Sequence, residues 1–68
     1  MTLEHKLRAL VAGMRYAAEQ NEEYARQAVS SETRAGLDGR AAGMRGDANA
    51  LEALLNEHDR DEATRAAR

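Results

Sequence analysis

Val29-Ser30-Ser31-Glu32 is the stretch on which the reading of this chain turns, because the apolar pattern reverses across it. Before it stand Leu3, Leu7, Leu10, Met14, Ala17, Asn21, Tyr24 and Ala28. After it stand Leu37, Ala41, Met44, Ala48, Leu51, Leu55 and His58. Both series step alternately by four and three, the a/d seam of one helix packed on another. Residue numbers paired across the stretch add to a constant 61 or 62, as in Leu10 with Leu51 and Met14 with Ala48. A constant sum is what an antiparallel hairpin requires, so the pattern predicts an all-α two-helix hairpin centred near residue 31. A lone hairpin of this kind buries a single seam, so assembly into a four-helix bundle or larger oligomer is expected.

The predicted bounds are helix 1 over 2–29, a turn at 30–31, and helix 2 over 32–60. Together they make one domain over 1–60, followed by a frayed tail over 61–68. Thr2 suits the first N-cap, and Ser30 or Ser31 the second, with Glu4 and Glu32 in the first turns. A break at Gly36-Leu37-Asp38-Gly39 is the alternative, but it misaligns every layer. Glu4–Arg8, Arg15–Glu19 and Glu22–Arg26 have the i,i+4 spacing of solvent-side ion pairs. Asn21 falls inside the seam, where a polar layer pins register. Val11, Ala18 and Ala25 sit beside the seam and widen it.

Composition narrows the function classes. The chain has 68 residues, no Cys, no Pro, and two aromatic residues, Tyr16 and Tyr24. Disulfides and thiolate metal sites are excluded. Ala occupies 15 positions and β-branched residues are few, so helix is favoured over strand. A net charge of −2 argues against a nucleic-acid partner found by bulk electrostatics. No apolar run approaches the ~20 residues of a membrane span. The charged, amphipathic start lacks a signal-peptide pattern, so a cytoplasmic protein is expected. Nine Arg against one Lys, with abundant Ala, fits a GC-rich genome.

The predicted second helix carries glycines where helices rarely do. Gly36, Gly39, Gly43 and Gly46 step by three, four and three, and Ala50 and Ala53 continue the row. Four interior glycines cost roughly 3–4 kcal/mol relative to Ala. Close approach of another helix would explain them, as would a ligand against bared backbone, or a loosely wound stretch over 36–46 before a firm helix at Asp47. The first reading makes Gly36, Gly39, Gly43, Gly46, Ala50, Ala53, Val11 and Leu54 the candidate oligomer interface.

No residue set carries catalysis. Ser30 and Ser31 lie far from His5 and His58, and the glycines match no phosphate loop. Arg45-Gly46-Asp47 spells an adhesion tripeptide, but a helix cannot present it as a loop would. His58, Glu62 and His5 gather at the open end without the fixed ligand number of a metal site, so neither metal nor cofactor is expected. Arg34, Arg40 and Arg45, with Asn21 and Tyr24, form the one patch suited to a small anion such as a nucleotide phosphate.

The run Gly39-Arg40-Ala41-Ala42-Gly43-Met44-Arg45-Gly46-Asp47-Ala48-Asn49-Ala50-Leu51-Glu52-Ala53-Leu54-Leu55 resembles the second helix of small hairpin proteins of high-GC bacteria and their phages. The resemblance implies a small accessory protein that acts by binding. Some phage hairpins of this shape oligomerise and sequester signalling nucleotides, though no residue motif here carries that activity over. The expected function is thus a non-enzymatic interaction module, a phage-encoded inhibitor or accessory protein. Its expected partners are itself and another protein. The alternatives are an oligomeric binder of a small anionic ligand and a structural assembly subunit.

Overall fold

The computed structural model describes residues 1–67. It contains two helices, α1 (Leu3–Gln27) and α2 (Ser31–Ala66), packed side by side as an antiparallel hairpin. The molecule measures 58 × 20 × 12 Å: two helices wide and one helix thick. Both expected caps form. The His5 N–H donates to Thr2 Oγ1 at 3.1 Å, and the Thr33 N–H donates to Ser30 Oγ at 3.2 Å. The end of α1 uses no glycine. Instead, the Arg34 guanidinium donates to the Ala28 carbonyl at 3.0 Å, supplying a cation at the negative helix end.

The α2 seam lies where its periodicity places it as far as Leu55, whereas His58, expected to continue it, is exposed. Ala41, Ala48 and Leu55 are buried, with Leu37, Met44 and Leu51 half-buried between them. The α1 seam is rotated from expectation. Val11, Ala18 and Ala25 are its buried residues, flanked by half-buried Leu7, Met14, Asn21 and Ala28. Leu3, Leu10 and Tyr24, expected inside, are exposed. Val11 therefore belongs to the hairpin's own core with Ala48 and Leu55, and is not open to a second chain.

The register also differs. The Asn21 side-chain amide approaches Met44 Sδ at 3.8 Å, and Arg15 bonds to Asn49 and Glu52. Facing layers therefore add to about 65 or 66, roughly four positions from the expected sum. The linker explains the shift. Ala28 (φ −71°, ψ 134°) and Ser30 (φ −88°, ψ 133°) are extended. With a bend at Val29 between them, these extended residues carry the chain several ångströms past the end of α1 before α2 begins. At about 1.5 Å per helical residue, α2 needs several residues to return, so Leu37 is the first to draw level with Ala28.

Two further expectations change. The helix does not end near residue 60, and α2 runs through the stretch expected to fray, as far as Ala66. Arg68, the last residue of that stretch, lies outside the described residues. Residues 36–46 are α-helical throughout, so the glycine row is not a loosely wound segment.

Candidate interaction face

A molecule one helix thick has two broad faces, and the rotation of α1 makes them opposites. On one face, Arg8, Arg15 and Glu22 recur every seventh residue beside the seam, opposite Asp59, Glu52 and Arg45 on α2. The Arg8 guanidinium donates to Asp59 at 2.6 Å and to Glu4 at 3.2 Å. Arg15 holds Glu52 through two bonds of 2.9 and 3.1 Å and reaches Asn49 at 2.9 Å. Arg45 bonds to Glu22. Arg15–Glu19 and Glu22–Arg26, expected as pairs within α1, are not formed: Arg15 and Glu22 bond across the hairpin, and Arg26 bonds to Glu23.

The ladder lowers the proton affinity of its acids. A hydrogen bond from Arg45 and its charge hold Glu22 below the usual carboxylate range. Arg15 does the same to Glu52. Asp59 is lowered first by its hydrogen bond with the Glu4 carboxyl and then by Arg8. A shallow depression beside the ladder, floored by Val11 and edged by Ala12 and Tyr16, is bordered by the paired Arg8, Arg15, Arg45 and Glu52 and by Glu19, which forms no ion pair among the described residues.

The other face is open. Leu10 and Leu54 stand at one level on the two helices, 53% and 63% exposed. Leu3 and Tyr24 flank them along α1 at 72% and 58% exposure. Towards the open end of the hairpin, Leu3, Leu7, Leu51, Leu54, Leu55 and His58 line an apolar groove. Gly36, Gly43 and Ala50 lie on this face by helical spacing, with Gly39, Gly46 and Ala53 along its outer edge. A Cβ built on any of the four glycines meets nothing within 4 Å, so the hairpin itself has no use for their bareness.

The arginine patch does not come together. Arg45 is committed to Glu22 and Arg34 to the Ala28 carbonyl. Asn21 turns back on its own helix, donating to the Ala17 carbonyl at 2.8 Å. Arg40 stands beside Gly36 and Leu37, and Tyr24 is exposed on the open face. At the open end, donor atoms of Glu4, His58 and Asp59 lie within 4.8 Å of one another, a different set from His5, His58 and Glu62. Arg8 bonds to both of its acids and fills the place of a cation.

Periodicity placed the glycines and Leu54 away from the seam, where they are exposed, but put Leu3, Leu10 and Tyr24 inside it. The ladder was readable in principle, since Arg8, Arg15 and Glu22 match Asp59, Glu52 and Arg45 in reversed order. Comparison with protein-family models, curated proteins and solved structures gave no match. Among the described residues, no helix is long and apolar enough to cross a membrane.

Proposed function

We propose that this protein is a non-enzymatic interaction module that binds a protein surface through its open face. The supporting observation is the exposure of Leu10 and Leu54 side by side on a face that also carries Leu3 and Tyr24. A hairpin one helix thick has no second layer with which to cover them. Contiguous apolar surface rimmed by polar residues is characteristic of protein contact sites. The likeness of residues 39–55 to small accessory hairpins points the same way.

A photoreactive amino acid tests the reading. Placed at Leu10, it forms a covalent adduct with protein in the cells that make the chain. Placed at Ala42, on the ladder face, it does not. Absence of any protein adduct at Leu10, with the hairpin folded, overturns the reading.

A further inference from the structure

We propose that the partner on the open face is a second copy of this chain, paired about a two-fold axis parallel to the hairpin's long axis. The inference rests on the reading of the open face as a binding face and names its occupant. Such an axis leaves every residue at its own level and lays α1 of one copy along α2 of the other. The register then fixes each pairing with no sliding distance left to choose. Leu10 meets the Leu54 of the second copy, and the two-fold repeats this contact, closing a four-leucine layer. One turn towards the open end, Lys6 meets Glu57. Neither forms an ion pair within the hairpin among the described residues. Towards the closed end, Gln20 and Gln27 fall opposite Gly43 and Gly36, whose Cβ positions open on empty space. Long side chains on α1 thus meet missing ones on α2, and opposite charges meet at the rim.

The arrangement gives the glycines a purpose the monomer lacks. A face 58 Å long and 20 Å wide is ample for the roughly 800 Å² per partner of a stable interface. Neighbouring helices in the resulting four-helix bundle are all antiparallel, the favoured topology. Asp47 opposes it, as does Arg40 one heptad earlier on the Leu54 stripe, because the two copies bring these like charges towards the axis. Asp47→Asn is therefore expected to tighten the dimer.

Sedimentation equilibrium of the purified chain should give twice the mass of one chain. Mixing separate Leu10→Cys and Leu54→Cys variants under mild oxidation should give the mixed disulfide faster than either homodimer, since neither variant can close a bond within one hairpin. Lys6→Glu should raise the dissociation constant on the order of tenfold, and adding Glu57→Lys should restore it. Circular dichroism checks that each variant keeps its helix. A chain that stays monomeric overturns the second-copy inference. If it does so while the Leu10 probe captures a different protein, the interaction reading stands alone. If that probe captures nothing, both fall. A dimer that shows no preference for the mixed disulfide overturns the two-fold arrangement.

Discussion

The ladder face and the open face are built from the same two helices, yet one is finished and the other is not. On the ladder face, Arg8, Arg15 and Glu22 each reach an opposite charge across the seam. On the open face, the equivalent positions hold Leu10, Leu54 and Tyr24, which reach only solvent. The seam between them is narrow, made largely of Ala18, Ala25, Ala41 and Ala48. Small seam residues let the helix axes approach closely and bring the flanking side chains of both faces within reach of each other. The difference is one of matching: the ladder side pairs residues beside the seam across it, and the open side leaves its own to solvent. Leu3, Leu10, Leu54 and Tyr24 gather on one side, and Tyr16 at the ladder's edge is the exposed aromatic of the other.

The seam should dominate any attempt to disturb the comparison, since both faces depend on it. Leu55→Ala should destabilise the chain by about 2–5 kcal/mol in urea unfolding, whereas neighbouring Leu54→Ala should cost the isolated hairpin far less. Equal losses at the two positions would mean that the open face is packed within the monomer. Ala48→Leu should cost about 1–3 kcal/mol by forcing the helices apart. It should also break the Arg15–Glu52 contact at the same level.

Gly43→Ala should act with two signs. In dilute solution, where the hairpin is alone, the added methyl enters open space and should stabilise by roughly 0.5–1 kcal/mol. Where chains associate through the open face, the same methyl should weaken association. Gly46→Ala, at the outer edge, should stabilise under both conditions. Thermal unfolding at two widely separated protein concentrations distinguishes them.

The ladder should show itself in acid. Glu22, Glu52 and Asp59 have lowered proton affinity in the folded chain, against ordinary values of 4.5 for Glu and 3.8 for Asp. A lowered folded value stabilises fully above the unfolded one and is lost as pH falls through the folded one. The melting temperature should therefore hold from neutral pH to about pH 5 and fall below pH 4. Arg15→Gln should shrink that fall. The smallest expected effect is that of nucleotides. With Arg34 and Arg45 already engaged, a millimolar nucleotide panel should leave the melting temperature unchanged.

The sequence by itself determined what depends on neighbours along the chain. Ala-rich composition without proline makes helix. Thr2 and Ser30 start the two helices because their hydroxyls reach the N–H three residues on. The α2 seam from Leu37 to Leu55 follows from one apolar stripe with no rival. Tertiary structure decided what depends on the fit of one helix to the other. On α1 two stripes compete, Leu3-Leu10-Ala17-Tyr24 and Val11-Ala18-Ala25, and both flank the same Leu7, Met14 and Asn21. Hydrophobicity favours the first, but Ala41 and Ala48 on α2 leave a narrow seam that suits Ala18 and Ala25 better than Leu10 and Tyr24. Only with the second stripe inside do Arg8, Arg15 and Glu22 stand opposite Asp59, Glu52 and Arg45. The register required the path of the linker, whose extended residues advance more than twice as far as helical ones. Neither the fit nor that path is a property of a single helix, which is why periodicity placed the α2 seam but not the face of α1 that meets it.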